Sequence, residues 1–143
     1  MRPLTGVAIE QQPECVISRM ALYGEARGES AIGAAAVWFV ARNRAVLHVT
    51  DLKEQFLQPK QFSCFNEGDP NRAKLMRAWF NDGRHWSRAE AVCDLCESGF
   101  LIDPTHGATH YYNPAIADPP WGRKHPDWRE LAVIGEHVFG RAG

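Results

Sequence analysis

A chain of 143 residues has the length of one ordinary domain, with an expected radius of gyration of about 14–15 Å. Hydrophobic residues make up 45%, charged residues 23% and aromatics 10%, with five tryptophans, which provides a core and excludes a disordered chain. Sixteen Lys and Arg against seventeen Asp and Glu leave a formal charge of −1, so a broad electrostatic drive toward nucleic acid or an anionic surface is excluded.

The longest apolar stretch, Ala31 to Ala41, is eleven residues even counting Gly33, short of the roughly 18 that a membrane span needs. It reads as a buried helix, and no stable membrane insertion is expected. Residues 1–20 carry Glu10, Gln11, Gln12, Pro13 and Glu14 where an export signal would need an apolar centre. The expectation is therefore a chain that is cytoplasmic on synthesis, with 1–143 as a single domain and 1–13 a flexible or peripheral segment. Cys15, Cys64, Cys93 and Cys96 are too few and too unevenly placed for a disulfide scaffold and read as free structural thiols.

Along the chain, Ile17, Ala21 and Glu25 fall at i, i+4 and i+8 with Val16, Met20 and Tyr23 beside them, which predicts a helix from about Glu14 that Gly28 breaks. Ser30 can cap a second, central helix, apolar nearly all round, with Arg42 and Arg44 near its C-terminal end. Asp51 and Glu54 have capping-box spacing for a short helix through Phe56 that Pro59 stops. Gln61 to Phe65 reads as a short strand. Asn66, Gly68, Asp69 and Pro70 mark a turn, and Ala73, Met76, Arg77 and Phe80 a further helix closed by Asn81, Asp82 and Gly83. Ser87 and Glu90 repeat the capping-box spacing and predict a helix to about Ser98, with Gly99 just past its end. Residues 103–122 read as mostly loop, dense in Pro, Gly, Asn, His and aromatics, and such a long ordered loop is a place for half of a functional surface. Leu131 to Phe139 reads as a docking helix, with His137 a buried structural histidine in it.

Glu25 ends the apolar stripe of the first helix. A helix C-terminus and partial desolvation both disfavour a carboxylate anion, which would suit a general acid working near neutral pH. The alternative is an anchoring pair with Arg27 or Arg42.

The run Tyr23-Gly-Glu-Ala-Arg-Gly-Glu-Ser30, followed by Gly33, Ala35, Val37 and Asn43-Arg44, resembles the opening of the cell-wall hydrolase family typified by spore-cortex-lytic enzymes. Gln61-Phe62-Ser63, Asp103-Pro-Thr-His-Gly-Ala108 with Tyr111-Tyr112-Asn113, and Ile134-Gly135 with His137 and Phe139 resemble its later motifs in order, so the likeness spans about residues 20–140. The resemblance implies a lysozyme-like α+β fold, predominantly helical, with a small β and loop region. It also implies cleavage of peptidoglycan glycan strands at the β-1,4 bond between N-acetylmuramic acid and N-acetylglucosamine, with Glu25 as catalytic acid. Either a muramidase or a lytic transglycosylase fits. The missing export signal and wall-binding repeat suggest a phage or prophage endolysin, released through a membrane pore.

Glycan grooves need planar apolar faces for pyranose rings and polar groups for acetamido arms. The candidate substrate-binding residues are Gln61, Ser63, Tyr111, Tyr112, Asn113 and Trp121. A hydrolase using two carboxylates would draw its second from Glu29, Asp51, Asp69 or Asp103, none of them singled out by spacing. Cys93 and Cys96 with His85, His106 and His110 could in principle ligate zinc, and Cys64 could act as a thiol nucleophile with His106 or His110 as base. Both read better as core thiols and loop histidines, so no metal and no cofactor are expected. The expected partner is the glycan strand, not nucleic acid, and the expected state a monomer. A zinc- or thiol-dependent peptidoglycan peptidase or amidase, and a non-catalytic glycan-binding protein, stand as alternatives.

Overall fold

The computed structural model describes residues 1–58 and 61–142. Helix α1 runs Glu14–Ala26 behind Pro13, whose fixed φ suits a helix entry, and it ends shortly before the expected break at Gly28. Helix α2, Ala31–His48, starts where the Ser30 hydroxyl accepts a hydrogen bond from the Gly33 amide at 3.1 Å, and is buried without interruption from Gly33 to Ala41. Helix α3, Leu52–Leu57, is capped by Asp51, which accepts from the Glu54 amide at 2.7 Å. Pro59, expected to stop it, lies outside the described residues.

The structure corrects four expectations. Gln61 to Phe65 is not a strand; Ser63–Phe65 forms a single 3-10 turn. The helix expected around Ala73 to Phe80 is split into two one-turn pieces, α4 (Arg72–Leu75) and α5 (Ala78–Asn81). Helix α6 runs Gly83–Glu97, so Ser87 sits inside it and forms no capping box, while Gly99 follows its end at φ +81° as expected. The terminal segment is a β-hairpin rather than a docking helix: β2, Arg129–Ile134, pairs antiparallel with β3, His137–Arg141. Its two-residue turn begins with Gly135 at φ +59°, a conformation a glycine adopts without strain. Ala132, Val133 and Ile134 then face Phe139, Val138 and His137 across the ladder, a consecutive apolar run with no helical period. The expected loop also holds β1, His110–Tyr112, which pairs with β3 to give the antiparallel order β1-β3-β2.

Helix α2 lies between two apolar clusters. One face packs with α1, α3 and α6 through residues such as Val37, Phe39, Ile17, Met20, Phe56 and Trp86. Ala36 and Val40 on the other side meet Ala108 and Phe139 of the sheet region. Arg19, 4% exposed on α1, faces Glu90, Asp94 and Glu97 of α6 and ties those helices together. Residues 1–13 lie at the periphery, mostly exposed, and are tied to the domain by fully buried Gln12, which bonds Leu4 and Val7, and by Glu10, which pairs with Arg72. No described helix is long and apolar enough to cross a membrane.

Candidate active site

Glu25 occupies the last turn of α1, and its neighbour Gly24 explains what faces it. A Cβ at Gly24 would lie 2.5 Å from the Cys64 Cβ, so only glycine lets the 3-10 turn close onto the helix. The turn then aims two donors at Glu25 Oε1: the Cys64 amide at 3.0 Å and the Ser63 hydroxyl at 3.4 Å. Burial raises the Glu25 pKa above the usual carboxylate value, those two donors offset part of the rise, and the charge of Asp69 adds to it. The anchoring alternative is not what is built: Arg27 instead donates to Asn71 and lies over the Tyr23 ring, while Arg42 is exposed.

Glu25 opens onto a cleft of about 520 Å³ lined also by Gln61, Ser63, Tyr111 and Trp121, four of the residues singled out from sequence. Neighbouring residues of a strand point to opposite faces, and Tyr111 and Tyr112 separate accordingly. Tyr111 stacks on Phe139 at 5.5 Å, and burial beside Glu25, Cys64 and Glu29 holds its phenol protonated. Tyr112 is buried edge-on to Trp121 and Trp128, its hydroxyl accepting from the Arg123 amide, and it is not among the residues lining the cleft. Asn113 is not among the lining residues either; its side-chain Oδ1 accepts from the Ala115 amide in the turn after β1.

The cleft also contains Arg44, Thr109 and His110, which the sequence reading did not place there. Arg44 is not a solvated helix-end cation but a buried side chain, donating to Gln55 at 3.3 Å and to the Thr109 carbonyl at 3.2 Å. Burial, then the charges of Arg44 and His48, press the His110 pKa down to about 4, so its ring is neutral at neutral pH. It shares a hydrogen bond with the Thr109 hydroxyl at 3.0 Å and packs 4.9 Å from Trp121. The Asn43-Arg44 pair was the available signal, since an arginine next to an asparagine inside an otherwise apolar helix has to be satisfied by something outside it.

The Asp103-Pro-Thr-His-Gly-Ala108 tract positions this wall without entering the cleft. Asp103 accepts from the Thr105 amide and hydroxyl, the Gly107 amide and Asn43 Nδ2, while Asn43 also donates to the Ala108 carbonyl. Burial pushes the Asp103 carboxyl up, but the bonds from Asn43, Thr105 and Gly107 prevail and hold it below the usual range. The result is a knotted turn, with His106 at φ +56° and Gly107 at φ +91°, that delivers β1 to α2.

Of the other carboxylates, Asp51 caps α3, Asp69 accepts from the Asn71 amide, and Glu29 meets His137 Nδ1 at 3.4 Å. His137 is thus a half-buried strand residue rather than a buried helical one. Glu25 is the one carboxylate lining the cleft among the described residues. Cys64 is fully buried, and burial together with the adjacent Glu25 charge pushes its thiol far up, which removes the thiolate that a cysteine peptidase needs. Cys93 and Cys96 are buried in α6, the latter with its thiol pushed up to about 12 by burial.

Residues 28–140 match the family described as Cell Wall Hydrolase, a match that begins three residues after Glu25. The chain is 30% identical over 121 residues to a spore cortex-lytic enzyme of Oceanobacillus iheyensis, and 30% identical over 125 residues to that of Bacillus subtilis. Each likeness covers 83% of this chain but 38% and 34% of those proteins, so the chain spans little more than a third of their length. In fold it is similar to the catalytic domain of the germination-specific lytic transglycosylase SleB from Bacillus anthracis, with TM-score 0.64, 24% identity and coverage of 96% of this chain and 99% of that one.

Proposed function

The chain belongs to the cell wall hydrolase family, and from that premise we propose that it cuts peptidoglycan glycan strands with Glu25 as the general acid. The bond is the β-1,4 link from N-acetylmuramic acid to N-acetylglucosamine. The observation that carries this reading is Glu25 itself, a carboxyl of raised pKa held by Cys64 and Ser63 at the edge of the 520 Å³ cleft. A raised pKa keeps a larger share of the carboxyl protonated near neutral pH, as proton donation to a leaving oxygen requires.

In the first step Glu25 transfers its proton to the glycosidic oxygen as the C1–O bond breaks, leaving an oxocarbenium-like muramic acid residue. A two-carboxylate hydrolase would need a second acid roughly 5–10 Å away, whereas the cleft lining supplies only Glu25 among the described residues. That supports capture by the muramic acid 6-hydroxyl, which gives up its proton to the Glu25 carboxylate and closes a 1,6-anhydro ring. Tyr111 and Trp121 offer ring faces to the sugars, and Gln61 and Ser63 offer polar groups to the acetamido arms.

Mass spectrometry of fragments released from purified peptidoglycan tests this. The native protein is expected to release 1,6-anhydro ends, and Glu25→Gln to lose on the order of 10²-fold or more in rate while remaining folded. Reducing muramic acid ends would make water the attacker and the protein a muramidase. Peptide-side cuts alone, or a fully active Glu25→Gln variant, would sink the assignment.

A further inference from the structure

Next to the glycan cleft, and sharing Arg44, Thr109 and His110 with it, is a second pocket of about 360 Å³. Arg129 and Arg141 form its far wall, with His48 and Asp127 also lining it. Arg129 and Arg141 are direct partners across the β2–β3 ladder. Like charges in such a pair repel and cost stability unless an anion lies between them. None is supplied from within: Arg44, Arg129 and Arg141 form no ion pair among the described residues, and Asp127 forms none with them. Arg19 against Glu90, Asp94 and Glu97, and Arg123 against Glu130, show the neutralised arrangement that Arg129 and Arg141 do not have. Arg44 is buried behind the pair, bonded only to neutral oxygens, and Arg141 spends its Nε on the Gly107 carbonyl. His110, which lines both pockets, is held neutral chiefly by burial and then by the charges of Arg44 and His48, so it brings no counter-charge to the arginines.

We propose that this pocket binds a carboxylate of the peptide stem carried by the muramic acid residue, so that the enzyme's preferred substrate is peptide-bearing glycan rather than the bare strand. The proposal rests on the glycan-cleaving reading for its choice of ligand. Guanidinium groups grip carboxylates through paired N–H donors, and two adjacent arginines can share one such anion. A stem peptide leaves the sugar through the lactyl arm of the muramic residue, so an anion site joined to the glycan cleft is within its reach. Arg129 is exposed and its side chain is not needed to hold a loop, which makes it the position to vary.

The test measures binding to the Glu25→Gln protein, so that no turnover is required, using a disaccharide-tetrapeptide with free carboxylates and the same compound with its carboxyls amidated. Amidation is expected to weaken binding at least 10-fold, Arg129→Gln to weaken binding of the free acid by a similar factor, and Arg129→Glu to weaken it further. A merely structural role for Arg129 would lower the melting temperature along with binding, whereas Arg129→Glu places a carboxylate opposite Arg141 and is expected to raise the melting temperature while binding falls. Equal affinity for the free and amidated compounds, or an Arg129→Gln variant that binds the free acid as tightly as its parent, overturns the proposal. So does inorganic phosphate that displaces the free acid at lower concentration than acetate does, since it assigns the pocket to phosphate. Loss of glycan cleavage by the native protein with this binding pattern intact would fell the catalytic reading and leave the pocket assignment standing.

Discussion

At Glu25 the chemistry and the stability of the fold pull in opposite directions. The folded carboxyl titrates above the ordinary value of 4.5 because burial raises it. In the window just above that value the folded protein holds a proton that the unfolded chain has released, so stability falls as pH rises through the window. Glu25→Gln carries no such loss. Its melting temperature relative to the native protein should therefore rise from pH 4.5 toward neutrality, even as activity is lost; an unchanging difference would place the carboxyl in an ordinary solvated setting. His110 acts with the reverse sign. Its folded pKa of about 4 lies below the model-compound value of 6.5, so between those values the unfolded chain binds a proton that the folded one refuses, and stability falls as pH drops. His110→Gln should flatten that acid limb in a pH series of thermal melts. Gly24→Ala would drive a methyl into Cys64; overpacking of this kind costs about 1–3 kcal/mol. The same displacement moves the Cys64 amide off Glu25, so a drop in kcat should accompany the loss in denaturation midpoint.

At the level of elements, local chemistry accounts for the helices that hold the site. Pro13, Ser30 and Asp51 each begin the helix that the sequence predicts, through φ restriction in the first case and side-chain capping in the other two. Ser30→Ala should cost about 1 kcal/mol by leaving the Gly33 amide unpaired. The far end of α2 is less well matched to its residue: Val49 sits at φ +55° and is 92% exposed. A β-branched residue there is strained by about 1–2 kcal/mol, so Val49→Gly should raise the midpoint of chemical denaturation, and a fall would show that the left-handed cap is not kept in solution. The segments that fold differently from their local pattern are built of elements of six residues or fewer, too short for spacing alone to fix their class. Residues 72–81 carry apolar side chains at helical spacing but break into single turns, and Gly135-Glu136 turns a consecutive apolar run back on itself as a hairpin.

For the whole molecule, the site depends on how α2 is packed on both sides. Its contacts with α1 and α6 keep the helical half together, and its contacts with Ala108 and Phe139 bring the sheet to the end of α1 where Glu25 lies. Arg19 ties α1 to α6 within that half. Its removal deprives three carboxylates of their shared cation and empties a buried volume, so Arg19→Ala should destabilise by about 3 kcal/mol, seen as an early thermal transition with little change in the cleft's ligand preference. The amino-acid sequence already contains the helical class, the central buried helix, its caps, the family likeness, and Glu25 with four of its neighbours. These depend on periodicity, capping and ordered motifs, which are local and can be read in order along the chain. That Glu25 is the one carboxylate lining the cleft among the described residues, the turning away of Tyr112, the burial of Arg44 and the facing of Arg129 by Arg141 are decided by the fold. Each depends on the face a strand or helix residue presents and on which distant segment meets it: residues 25, 44, 63 and 110 line one cleft, and residues 44, 110 and 129 the pocket beside it, only once α2 is covered on both sides.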